Sequence, residues 1–234
     1  MKTTPICIAA FAGLAFTAAC VFAQTAAPPP PPPPETPPPA ALPFVPAVPL
    51  APPPPIVDPA LELKGSALVA ALRKGGLVLY MRHAETGVVT EKCEQSNLSA
   101  IGEANARAVG AALRELKIPI GVVRSSLACR VADTARLLGL GAVEPSEDLN
   151  PVAPREGFDI GAARTRRLNE MPAAGTNTLL VSHLHGSRKK EEWLHLEMGE
   201  IIVFKPDSNS PAVPIARVRV AEWMALKSLD KSVP

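Results

Sequence analysis

Short continuous apolar runs alternate with longer stretches in which apolar side chains recur at helical spacing. Continuous runs are typical of strands covered on both faces, and a period of three to four residues is typical of amphipathic helices. Strands are therefore predicted at 77–81, 120–123, 142–144, 178–183, 200–206 and 212–220, and helices at 65–76, 99–117, 127–141 and 161–171. This alternation predicts an α/β fold, a three-layer sandwich with a mainly parallel central sheet and helices on both faces.

The local signals refine these elements. Ser66 is predicted as the N-cap of the first helix and Gly75 as its stop, and residues 84–98 read as a polar loop. A short polar helix is also expected soon after residue 183. The helix that follows Ser99 is predicted to bury one face, formed by Ile101, Ala104, Ala108, Ala112, Leu113 and Leu116.

The first 59 residues have a different composition. Residues 1–23 combine Lys2, an apolar core and a small-residue "VFA" ending, as in a signal peptide. Residues 24–59 contain 18 of the chain's 28 prolines, so a disordered, extended linker is predicted there. We therefore expect three parts: a signal peptide at 1–23, a proline-rich linker at 24–59 and a folded domain at 60–234.

Cysteine usage and charge bear on location and partners. Export to the periplasm or the cell envelope is expected, with Cys20 as the alternative, lipid-anchored processing site. Cys93 and Cys129 are then the cysteines left in the domain, and they form either one disulfide or two free thiols. Without residues 1–23 the chain has 23 basic and 22 acidic side chains, which gives no support for nucleic-acid binding.

Charged and imidazole side chains stand where the three strongest predicted strands end. The strands end in Arg82–His83, in Arg124–Ser126 with Arg130 just beyond, and in His183. Because the carboxyl ends of parallel strands meet at one edge, these groups are expected around one pocket. Arginines match phosphoryl oxygens and would also oppose protonation of a histidine nucleophile. We therefore expect phosphoryl transfer onto His83, with Arg82, Arg130 and His183 holding the equatorial oxygens.

Four sequence blocks resemble the ordered signature of the histidine phosphatase superfamily, which includes the phosphoglycerate mutases. They are "LYMRHAETG", "NLSAIGEANARAVGAAL", "VRSSLACRVADTARLLG" and "LLVSH", within residues 77–183. The resemblance implies the same three-layer sandwich and no metal or other cofactor. It also implies a phosphorylated His83, a phosphate clamp of Arg82 and Arg130, a pocket completed by His183, and a hydroxyl from Thr86.

The chain departs from the family pattern at three places. Ala84 replaces the usual glycine after the histidine, and Leu127 replaces the proline of an "SSP" turn. The third departure concerns the general acid, a glutamate that relatives carry after the helix of the second arginine. Pro151 stands there, and the nearby acidic candidates are Glu156, Asp148 and Asp159.

The expected function is a metal-independent phosphatase that hydrolyses a small phosphomonoester or phosphohistidine through a phosphohistidine at His83. The alternative hypothesis is a catalytically weak or silent domain of the same fold, which binds phosphate or interacts with the envelope. The missing glutamate motivates this alternative, and turnover of an activated phosphoester would discriminate between the two.

Overall fold

The computed structural model describes residues 6–7, 20–21, 57–90, 93–183 and 196–231. The chain divides into two units, Met1–Leu50 and Ala51–Pro234. In the first unit, β1 (Ile6–Cys7) pairs antiparallel with β2 (Cys20–Val21). The predicted signal peptide and proline-rich linker fall almost entirely outside the described residues, so both stay predictions.

The second unit alternates strands and helices, as the apolar pattern predicts. Its elements are α1 (Gly65–Lys74), β3 (Val78–Arg82), β4 (Thr86–Thr90), β5 (Cys93–Leu98), α2 (Ala100–Glu115), β6 (Ile120–Ser125), α3 (Cys129–Leu138), β7 (Val143–Pro145), a 3₁₀ turn (Glu147–Leu149), α4 (Ile160–Asn169), β8 (Asn177–Ser182), β9 (Ile201–Lys205), β10 (Val213–Val218) and α5 (Val220–Lys231). None of the helices in the described ranges is both long and apolar enough to cross a membrane.

Six strands form the central sheet in the order β10-β9-β3-β8-β6-β7. Neighbours from β3 to β7 run parallel, whereas β9 is antiparallel to β3 and β10 is antiparallel to β9. The sheet is thus mainly parallel, as predicted. Because β3, β8 and β6 are adjacent and parallel, their carboxyl ends meet at one edge of the sheet.

Helices cover both faces of the sheet, which confirms the predicted sandwich. On one face, α1, α2, α3 and α5 bury side chains such as Leu72, Leu113, Leu138 and Trp223 against the sheet. On the other face, Leu168 of α4 and Leu149 of the 3₁₀ turn pack on Val78, Tyr80, Leu180, Ile202 and Phe204 of the strands. Every residue of β8 is buried, as its continuous apolar run indicates.

Four local predictions are corrected. First, α1 begins at Gly65, so Ser66 lies inside its first turn and is not its N-cap, while Gly75 does end the helix at φ 79°. Second, residues 84–98 are not a loop throughout, because β4 and β5 form an antiparallel hairpin. Third, α5 follows β10, whereas no helix was predicted after the strand at 212–220. Fourth, the face of α2 that was predicted to be buried is right at Ala112, Leu113 and Leu116 but wrong nearer the N-terminus. There, Ala106 and Val109 are buried and Ile101 is 68% exposed.

The expected short polar helix after residue 183 lies outside the described residues. The structure tests only part of the disulfide prediction. Cys129, the first residue of α3, is disulfide-bonded, and β5, which begins at Cys93, packs against α3. The side chain of Cys93 is not among those described, so the pairing of Cys93 with Cys129 stays a prediction.

Candidate active site

The candidate site lies at the carboxyl edge of β3, β8 and β6. Arg82 pairs with Ser182 in the parallel register of β3 and β8, so His83 and His183 follow their strands side by side. Their ring centroids are 5.6 Å apart, and the two rings meet edge to face at 73°. Arg130, the second residue of α3, reaches both rings. The structure therefore brings together the histidines and an arginine that the strand ends placed at this edge.

His83 is held as a neutral ring with one nitrogen aimed into the site. Its Nδ1 lies 2.8 Å from the carbonyl oxygen of Ala84, which can only accept, so Nδ1 carries the proton. The bare Nε2 then accepts from Nε of Arg130 at 3.3 Å. Burial is the largest cause that lowers the pKa of His83 from 6.5 to about 4, and Arg130 and Arg82 lower it further. His83 is therefore unprotonated at neutral pH, as a histidine nucleophile would have to be.

His183 is fixed in the opposite tautomer. Its Nδ1 accepts from Nη2 of Arg130 at 3.1 Å, because a guanidinium can only donate. Its Nε2 therefore carries the proton and donates to Oγ of Ser126 at 2.9 Å. Burial first, and then the charge of Arg130, lower the pKa of His183 from 6.5 to about 3. Both imidazoles thus direct a lone pair at the same guanidinium.

Arg82 supplies a second cation beside this pair. Its Nη1 donates to the carbonyl oxygen of Leu196 at 2.6 Å. Its Nε is buried and meets no hydrogen-bond partner in the part of the chain that the structure describes. Desolvation lowers the pKa of Arg82, and desolvation together with the charge of Arg82 lowers the pKa of Arg130. Two partly desolvated guanidinium groups near two lone pairs favour an anion with several oxygens.

A threonine that sequence reasoning missed ties the two halves of the site together. Thr134 is fully buried on α3, and its Oγ1 accepts from the backbone N–H of Ala84 at 3.1 Å. The same hydroxyl donates to the carbonyl oxygen of Arg130 at 2.7 Å. The peptide after His83 and the turn that carries Arg130 are therefore locked to each other by one side chain.

The conspicuous "LS..G" block anchors α2 to the chain just beyond His83. Oγ of Ser99 accepts from the N–H of Gly102 as the N-cap of α2, and the backbone N–H of Ser99 donates to the carbonyl oxygen of Glu85. A Cβ atom at Gly102 would lie 2.1 Å from that same oxygen, so only glycine permits the approach. Asn105 completes the anchor by donating to Oε1 of Glu85 at 3.0 Å.

Several predicted site residues lie elsewhere or make other bonds. Arg124 pairs with Glu144 and Glu170 instead of joining the histidines. Thr86 begins β4, and among the described residues no hydrogen bond joins its hydroxyl to the four site residues. The proposed acids are also engaged or remote: Asp148 pairs with Arg167, Asp159 caps α4, and Glu156 is exposed on the 145–160 segment.

The other two departures from the family pattern are accommodated. The side chain of Ala84, which follows His83, is fully buried. Leu127 is 53% exposed, and its backbone N–H donates to Oδ1 of Asn150 at 3.1 Å. A proline at this position would lack that N–H, so leucine allows a bond that a proline would remove.

The segment that contains Arg82, His83 and Arg130 matches a known protein family. Residues 78–152 match the model of the histidine phosphatase superfamily, branch 1. Comparison with curated proteins found no match.

Among solved structures, the chain is similar to the protein histidine phosphatase SixA complexed with tungstate, at 18% identity and a TM-score of 0.47, covering 62% of this chain and 97% of that chain. It is also similar to a phosphoserine phosphatase variant from Entamoeba histolytica in complex with phosphoserine, at 14% identity and a TM-score of 0.43, covering 62% of this chain and 98% of that chain. The family match covers β3, α2, β6 and α3, and over residues 78–152 this chain is similar to the histidine phosphatase superfamily.

Proposed function

We propose that this protein is a metal-independent phosphatase that works through a phosphohistidine on Nε2 of His83. The observation that carries the proposal is the paired geometry of His83 and Arg130. A bare imidazole nitrogen of low basicity faces a guanidinium at 3.3 Å, which is the arrangement needed to attack a bound phosphoryl group. The superfamily match supports phosphatase chemistry in general, and the particular route through His83 is our proposal.

The reaction proceeds in two displacements. The lone pair on Nε2 of His83 attacks phosphorus, and the bond from phosphorus to the leaving oxygen or nitrogen breaks with its electron pair. The ring then carries positive charge, which the Ala84 carbonyl stabilises by accepting from Nδ1–H. Water next attacks phosphorus, the phosphorus–Nε2 bond breaks, and inorganic phosphate leaves. Arg82 and Arg130 balance the negative charge on the equatorial oxygens in both steps.

The placement of the acidic residues favours substrates with a stable leaving group. Asp148 is in an ion pair, Asp159 caps a helix and Glu156 is exposed, so none of them supports protonation of an alkoxide. An aryl phosphate releases a phenolate, and a phosphohistidine releases a neutral imidazole when its other nitrogen is protonated. We therefore propose a small phosphoramidate or activated phosphomonoester as the substrate.

The test uses the purified full chain, p-nitrophenyl phosphate and a phosphohistidine substrate, each with and without EDTA. We expect turnover of both substrates that is unchanged by EDTA and abolished by His83→Asn. Acid-labile, alkali-stable phosphate should be trapped on the wild-type protein and be missing from the variant. Turnover that survives His83→Asn, or that disappears with EDTA, would refute the mechanism. Vanadate binding without any turnover would favour the silent phosphate-binding domain instead.

A further inference from the structure

A buried cation lies behind His183, outside the set of residues that bind the expected phosphate. Arg164 of α4 is only 3% exposed, and its Nη2 donates to the carbonyl oxygen of Asn150. Its Nε is buried, and among the described residues it has neither a hydrogen-bond partner for this atom nor a carboxylate in an ion pair. Burying an unpaired guanidinium is costly, so its retention calls for a reason beyond packing.

Asn150 connects this cation to the site. Its Oδ1 accepts from the backbone N–H of Leu127 at 3.1 Å, which assigns the oxygen of the amide to this position. The same Oδ1 lies 3.0 Å from Oγ of Ser126, so the hydroxyl must donate to it. Because that proton is used, Ser126 can only accept from Nε2–H of His183. Together with the Arg130 guanidinium at Nδ1, the bonds from Arg164 through Asn150 and Ser126 therefore specify one tautomer of His183.

The charges that face His183 act in the same direction. They come from Arg130 on α3, from Arg164 on α4 and from Arg82 at the end of β3, and each of them lowers the pKa of His183. Tyr80 of β3 also donates to the backbone oxygen of His183 at 3.1 Å, so it fixes the backbone without supplying a charge at neutral pH. A second proton on His183 is thus opposed from three elements.

We propose that Arg164 and Asn150 are positioning residues that act through Ser126 to hold His183 as the Nε2–H tautomer. Nδ1 of His183 is then a proton acceptor that faces the pocket, where it can bind a protonated oxygen of a phosphate monoanion. The catalytic value of this arrangement rests on the proposed function, whereas the tautomer itself is a property of the free protein. The two can therefore fail separately.

The test of the tautomer needs no activity. The chain has four histidines, so nitrogen–proton correlation spectra of ¹⁵N-histidine-labelled full chain at pH 7 can be assigned with His83→Gln and His183→Gln variants. We expect the Nε2–H form of His183 in the wild type and a gain of the Nδ1–H form in Asn150→Ala and Arg164→Met. Asn169→Ala and Arg166→Met, two changes on the same helix α4, serve as matched controls and should leave the wild-type spectrum unchanged.

Kinetics supply the second readout. With p-nitrophenyl phosphate, kcat should fall about 10- to 100-fold in Asn150→Ala and Arg164→Met, as when other functional histidines lose an orienting partner, and KM should change less. Arg164→Lys keeps the charge and should keep the wild-type tautomer, so it is the conservative control for Arg164→Met. An unchanged His183 tautomer in folded Asn150→Ala and Arg164→Met would overturn the proposal, and Asn150→Ala alone decides if Arg164→Met does not fold. If the wild type has no activity but the His183 tautomer shifts in Asn150→Ala and Arg164→Met, only the proposed function fails.

Discussion

Arg130 is the residue on which the candidate site depends most, because it bonds to both histidines at once. Its Nε and Nη2 occupy the lone pairs of His83 and His183, so a bound phosphoryl group would exchange these contacts for charge-assisted bonds to its oxygens. The same guanidinium also helps to keep both rings neutral. In the proposed mechanism, one side chain would therefore contribute both to anion binding and to the nucleophilicity of His83.

Replacing Arg130 by alanine should weaken vanadate binding and lower kcat/KM for p-nitrophenyl phosphate by roughly 10- to 150-fold each, the equivalent of about 1.5–3 kcal/mol for a bond to a charged group. Titration calorimetry and steady-state kinetics measure the two effects. Arg136→Ala is the matched control, because Arg136 lies on the same helix α3 and pairs with Asp133 at the surface. Equal losses in the two variants would show that Arg130 has no special role.

The site residues that were predicted differ from those that were missed in where they lie along the elements of the fold. His83, Arg82 and His183 stand at the ends of continuous apolar strands, and Arg130 follows another strand closely, so local pattern places all four. Thr134 and Arg164 lie inside helices, where a threonine or an arginine is ordinary. Their roles arise from bonds to Ala84 and to Asn150, which depend on the packing of distant segments.

At the scale of the element, prediction succeeded where hydrophobic pattern and stop signals agree. Gly75 ends α1 as predicted, and Gly139 ends α3 slightly before the predicted bound at residue 141. The β4–β5 hairpin was not predicted because neither strand alternates apolar and polar residues. The pairing of the two strands is also irregular, with two register shifts. The buried face of α2 was predicted correctly near its C-terminus, at Ala112 and Leu113, but not near its N-terminus. That part of the helix is rich in alanine, whose small side chain marks a face poorly, and Gly102 and Gly110 are also buried.

Gly110 decides how closely α2 and α3 pack. A Cβ atom there would lie 1.9 Å from the carbonyl oxygen of Leu138 and 2.6 Å from its carbonyl carbon. Gly110→Ala should therefore lower the free energy of unfolding by about 1–3 kcal/mol, although alanine favours helix formation by up to about 1 kcal/mol. Urea unfolding measures the change. Gly161→Ala in α4 is the control, because its Cβ would meet only the side chain of Asp159 at 3.3 Å, and it should be nearly neutral.

At the scale of the whole molecule, the two buried histidines couple folding to pH. The pKa of each ring is about 6.5 in an unfolded chain, but burial lowers it to about 4 in His83 and to about 3 in His183. Between these limits the unfolded chain binds more protons than the folded protein. Stability is therefore fully present above pH 6.5, and it declines as the pH falls toward the two folded pKa values.

We expect the free energy of unfolding to fall between pH 7 and pH 5 by about 2 kcal/mol for each of the two histidines. Urea unfolding at several pH values measures this slope. The measurement stops at pH 5 because carboxylates also affect stability at more acidic pH. Glu170 is an example: its bonds to Arg167 and Arg124 lower its pKa, so its protonation destabilises the protein only there. A His83→Gln, His183→Asn double variant keeps the other two histidines of the chain and should show a much shallower slope. If the double variant loses stability as steeply as the wild type, the protons are taken up elsewhere, and the neutral, buried state of these rings is wrong.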